Sequence, residues 1–84
     1  MSKAKVKRCV EFFEKEGDDL VYKIYLPSHL EVNDLSSWFD TSDDPQMYYD
    51  YIIENKHVAF LEKLIAHPID LDKYDCFLSC YTTR

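Results

Sequence analysis

From Val6 to Glu14 apolar and polar positions alternate with period two, placing Val6, Val10 and Phe12 on one face and Cys9 and Phe13 on the other. This predicts a strand. Leu20 to Leu26 alternates in the same way, with Leu20, Tyr22, Ile24 and Leu26 facing one side and Val21, Lys23 and Tyr25 the other. Between the two lies Lys15-Glu16-Gly17-Asp18-Asp19, where the single glycine of the chain stands at the place a turn would need positive φ. The pair reads as a hairpin that Pro27 ends.

The period then lengthens. Ser28-His29-Leu30-Glu31 has the spacing of a capping box, in which a serine hydroxyl serves an open amide and a glutamate reaches back to the cap. A helix from about His29 to Phe39 would align Val32, Leu35, Trp38 and Phe39 in one stripe and stop near Asp40. Thr41-Ser42-Asp43-Asp44-Pro45 supplies loop formers, with Asp44 placed to cap a new helical turn started by Pro45. Met47 to Ile53 fits a short helix or irregular structure and also has strand propensity. Asn55 can cap a further helix carrying Val58, Leu61, Leu64 and Ile65, which Pro68 forbids from continuing. Asp70 to Lys73 is a connector. Tyr74 to Thr82 is the last strand, with Cys76, Leu78 and Cys80 on one side and Asp75, Phe77, Ser79 and Tyr81 on the other. The expected fold class is α+β in one domain over residues 1–84: a three-stranded, mainly antiparallel sheet with helices packed on one face.

Length narrows the function classes. A globule of 84 residues buries only somewhat over ~60% of its unfolded surface, so a deep enclosed active site competes with the core for volume. Hydrophobic residues at 46% and aromatics at 15% are nevertheless far too many for a disordered acidic tail, and the chain should fold. No apolar run reaches the ~18 residues that cross a bilayer, and the start of the chain has no apolar segment with a cleavage site. These features, with an odd cysteine count, lead to the expectation of a cytoplasmic protein that is not membrane-bound.

Charge changes the picture more. Ten basic residues face sixteen acidic ones, and four of the ten (Lys3, Lys5, Lys7 and Arg8) lie in the first eight residues, as a solvated strand entry or a cover for the acids. From Glu31 to Glu54 there are seven acidic residues and no Lys or Arg, interleaved with Trp38, Phe39, Met47, Tyr48, Tyr49 and Tyr51. Such a surface opposes nucleic acid, whose phosphates require clustered cations, and suits a basic protein.

Other chemistry finds less support. Cys76 and Cys80 would stand about 13 Å apart along a strand, too far to share a zinc ion with His57 or His67 or to form a disulfide. Buried free thiols fit better. Asp40-Thr41-Ser42-Asp43-Asp44 begins like a calcium loop but puts Pro45 where the loop requires glycine. Neither His57 nor His67 lies in a nucleophile signature, and His67 suits a helix C-terminus. Chance carboxylate pairs are unavoidable among sixteen acids. The expectation is therefore no catalysis, no metal and no cofactor.

Val10-Glu11-Phe12-Phe13-Glu14-Lys15-Glu16, Leu20 through Pro27, Asp43-Asp44-Pro45-Gln46-Met47-Tyr48 and Leu71 through Leu78 together resemble a family of small, acidic, uncharacterised bacterial proteins, and several families of this kind behave like immunity proteins of polymorphic or contact-dependent toxin systems. The resemblance implies a cytosolic antidote that binds the C-terminal domain of a cognate toxin, often a basic nuclease, and blocks it. Charge and aromatics nominate the contact residues: Asp40, Asp43, Asp44 and Asp50 supply the field, and Trp38, Tyr48, Tyr49 and Tyr51 the apolar anchors. The alternatives are a DNA-mimic inhibitor of a nucleic-acid-binding protein, an uncharacterised small interaction domain, an enzyme with an unsigned carboxylate site, and a homodimer through Phe13, Tyr25, Phe77 and Tyr81 on the second sheet face.

Overall fold

The computed structural model of the chain describes residues 5–83. Six elements follow one another: β1 (Lys5–Glu14), β2 (Leu20–Tyr25), α1 (Val32–Ser36), β3 (Tyr51–Ile52), α2 (Asn55–Ile65) and β4 (Tyr74–Thr83). The fold is α+β, with one sheet in the order β2-β1-β4-β3 and every neighbouring pair antiparallel. Three strands were expected and four are present. The additional one is β3, drawn from the ambiguous stretch before Glu54, and the Ile53 amide continues its pairing by donating to the Cys76 carbonyl at 3.0 Å.

The first and last strands pair over their full length, from Lys5 opposite Thr83 to Glu14 opposite Tyr74, and form the spine of the molecule. Period two then sorts their side chains. Val10 and Phe12 of β1 and Cys76 and Leu78 of β4 meet Leu35 of α1, Leu61 and Ile65 of α2, and Met47, Ile53 and Ile69 from the connections in a single buried cluster. Each large apolar side chain sequestered there contributes about 1.5–3 kcal/mol. Phe12 stacks on Tyr22 with centroids 4.4 Å apart, and His67 and Tyr74 meet both rings edge-on.

Several local expectations shift. The turn after β1 places Asp18, not Gly17, in the left-handed region at φ 56°, because the Asp18 amide returns to the Glu14 carbonyl and aspartate tolerates that conformation. The β1–β2 register shifts between Phe12 and Phe13, which takes Leu20 out of the inward alternation and leaves it exposed.

The helix expected from His29 to Phe39 contracts to five residues. Its N-cap is Glu31, whose amide donates to Asp34 Oδ2 at 2.9 Å, while the Leu30 amide turns back to the Pro27 carbonyl. At the other end the Trp38 amide bonds Leu35, three residues back, and the chain tightens into turns. Glu54, not Asn55, caps α2, which ends at Ile65 with Ala66 left-handed at φ 53°. Lys3 of the basic entry lies outside the described residues. Among the described residues no helix is long and apolar enough to cross a membrane.

Candidate functional site

Between α1 and α2 the chain makes no regular structure until β3, and one buried carboxylate organises the second half of that connection. Asp44, 7% exposed, accepts the Tyr48 amide at 3.0 Å, the Tyr49 amide at 2.8 Å and the Tyr51 hydroxyl at 2.7 Å. Burial alone would raise its pKa. The Tyr49 and Tyr48 amides, the Tyr51 hydroxyl and the nearby Arg8 charge outweigh it, and the carboxyl is held below its ordinary value. The Tyr51 hydroxyl is driven the opposite way, by burial and by its bond to Asp44. The structure thus removes Asp44 from the exposed field expected of it, since its acceptor sites point inward to satisfy the loop backbone. It holds the loop in shape so that others can face outward.

Around the ordered loop, Trp38, Phe39, Asp40, Asp50, Tyr51 and Glu54 line an open groove of about 330 Å³, with Ile52, Lys56 and His57 completing its wall. Trp38 lies flat on Phe60, centroids 4.4 Å apart and planes 8° from parallel, yet remains 42% exposed. Phe39 stacks on the buried His57 ring at 4.1 Å and leans on Tyr51 at 5.4 Å. His57 joins two chain segments: its Nδ1 accepts the Glu54 amide at 2.9 Å, so the tautomer with hydrogen on Nε2 donates to the Trp38 carbonyl, also at 2.9 Å. Asp40 is kept ionised to lower pH than usual by the Ser42 amide and hydroxyl, both of which donate to its Oδ1.

Of the eight residues expected to form one surface, Trp38, Asp40, Asp50 and Tyr51 meet in this groove. Tyr48 and Tyr49 are 52% and 62% exposed, and Asp43 is exposed, but all three lie outside the lining. The sequence also showed no cation in the acidic window, whereas space supplies two at its margins. Arg8 reaches from β1 to donate from Nη2 to the Gln46 carbonyl at 2.8 Å, and Lys56 sits 3.9 Å from Glu54. Glu54, Phe39 and His57 were missed as wall residues. For Glu54 and His57 the signal was the helix start, because His57 stands at the third position of α2, where a side chain returns to the cap.

Among the described residues no helix covers the opposite face of the sheet. Glu11 lies buried there, accepting hydrogen bonds from the Ser79 and Tyr81 hydroxyls, and Lys23 sits 4.4 Å above the Tyr81 ring. Phe13 meets Phe77 edge-on beside them, with exposed Val21 and Tyr25 on the flank. The three thiols are free. Burial pushes Cys9 and Cys76 up to about 11, which suits structural rather than reactive sulfur. A more enclosed cavity of about 240 Å³ lies away from the groove, between the start of β1 and Pro27 to Leu30.

Comparison with curated proteins and with solved structures finds no match. A family model does match, over residues 7–79, from the second residue beyond the start of β1 to the middle of β4. That span holds the complete groove, the buried Asp44 and all but one end of the β1–β4 spine, and the chain belongs to the DUF7683 family of domains of unknown function.

Proposed function

We propose that the protein is a non-catalytic inhibitor of the immunity type, which captures a basic bacterial toxin domain, such as a nuclease, on the groove between Trp38 and Glu54 and covers its working surface. The observation that carries this reading is the meeting of Trp38, Asp40, Asp50 and Tyr51 in one open groove. Aromatic rings held from behind supply area that can be desolvated without ordering new side chains, and carboxylates at the rim steer a cationic partner. Support for the toxin class comes from the sequence resemblance and the acidic balance.

The test asks first whether a gene adjacent to this one encodes a protein with a basic, toxic C-terminal domain, and then whether that domain is captured; absence of capture would overturn the reading. The complex is expected at low salt and should weaken as salt rises. The double variant Asp40→Lys/Asp50→Lys should lose at least about tenfold in affinity and lose protection of cells, which is about 1.4 kcal/mol. Unchanged affinity in that variant would remove the groove as the contact face. Exposed Val21, Tyr25 and Tyr81 on the helix-free sheet face favour a second reading, pairing of two copies there, and sedimentation velocity of wild type against Tyr25→Glu decides it.

A further inference from the structure

The groove borders a sheet edge. Sheet order ends at β3, and among the described residues no strand pairs with its outer side. Because the Ile53 amide donates inward to Cys76 and successive residues of a strand address opposite edges, the amide and carbonyl of Ile52 point away from β4. The Ile52 side chain is 66% exposed. Natural sheets blunt such edges with charge, and here the flanking charges are Asp50 and Glu54, which with Asp40 outnumber the one cation in the groove lining, Lys56, itself 3.9 Å from Glu54. That choice of sign excludes acidic strands, including a second copy of this acidic chain, and admits basic ones.

Resting on the reading above, we propose that β3 receives an extended, arginine-bearing segment of the partner as a fifth strand, bonded to the backbone of Ile52, with arginine side chains entering the groove. A planar guanidinium can stack on the open face of Trp38 while pairing with Asp40 or Asp50, a combination that lysine's compact ammonium does not match. Backbone bonds supply the docking and alternate side chains the selection.

The experiment uses the full chain and a synthetic peptide alternating arginine with threonine and valine. Its readouts are emission from Trp38, the only tryptophan, and hydrogen exchange at the Ile52 amide. The expected result is a saturable emission change with slowed exchange at Ile52, absent for the peptide with glutamate in place of arginine. Ile52→Pro removes the outward donor together with the exposed isoleucine side chain, a change an edge strand tolerates, and should weaken binding at least tenfold with the far-ultraviolet dichroism retained, whereas Ile52→Val, which keeps the donor, should bind like wild type. A peptide N-methylated on alternate backbone nitrogens should bind as weakly to wild type, and it decides the matter should Ile52→Pro fail to fold.

Binding that is indifferent to both backbone changes, or no response to the arginine peptide, overturns the strand addition. If the toxin domain is still captured through Asp40 and Asp50 in that event, the inhibitor reading survives. Peptide binding at Ile52 without capture of the domain would instead uphold the strand addition and overturn the inhibitor reading.

Discussion

The Tyr51 hydroxyl donates to Asp44 Oδ2 across 2.7 Å, which ties the first residue of β3 to the carboxylate at the centre of the preceding loop. Through this bond the edge strand and the loop hold each other, and the groove wall on Tyr51 depends on a buried residue outside the groove lining. Charge reversal at Asp44 would therefore disturb the fold before it reported on any partner.

Asp44→Asn should lower the melting temperature by about 5 °C or more, since the new amide group presents a donor to donors that have lost an acceptor. Exposed Asp43→Asn should move it by less than about 2 °C. Differential scanning calorimetry of the two variants checks the contrast, and equal shifts would contradict the role given to Asp44.

Acid should weaken the fold through the same group. Its carboxyl is held below the ordinary 3.8, so the folded chain takes up this proton less readily than the unfolded chain. The contribution is therefore complete above 3.8, declines as pH falls below it, and is gone once pH passes the folded value. Urea titrations across that range should show a flatter loss of stability with falling pH in Asp44→Asn than in wild type.

His57→Ala removes both the acceptor of the Glu54 amide and the donor to the Trp38 carbonyl, and leaves a cavity under Phe39. The expected cost is on the order of 2–4 kcal/mol in urea denaturation. Trp38 emission should shift as well, because its backbone anchor is lost; an unchanged spectrum would show that the Phe60 stack alone sets its position.

Ala66→Gly should stabilise the protein, against the usual effect of glycine near a helix. Ala66 is exposed and left-handed at the C-terminus of α2, with φ 53° and ψ 45°, a conformation in which its Cβ is crowded and glycine is not. A gain of about 0.5–1 kcal/mol in chemical denaturation is expected.

The hairpin and the last strand were legible because their alternation is a local property: Val10 and Phe12, and Cys76 and Leu78, declare one face whatever lies around them. The helix start near Glu54 was legible to within one residue for the same reason. The stretch from Met47 to Ile53 was not, since its tyrosines and isoleucines fit several periods, and the strand at Tyr51 exists only because β4 offers a free edge. Among the site residues, Trp38 and Asp40 declared their type but not their neighbours. Asp44 was misjudged because a carboxylate in a run of acids reads as solvated unless its three donors, all within seven residues, are known to converge.

Sequence alone determined the α+β class, the two long strands, the acidic and aromatic character of residues 31–54, and the abundance of apolar side chains that drives collapse, because each follows from local period or from composition. Tertiary structure alone decided that β1 and β4 form the spine, that a fourth strand ends the sheet, that Arg8 enters the acidic loop, and that Trp38, Asp40, Asp50 and Tyr51 share one groove. The physical reason is that these outcomes depend on which distant groups satisfy a buried donor, acceptor or charge, and no spacing along the chain specifies that partner.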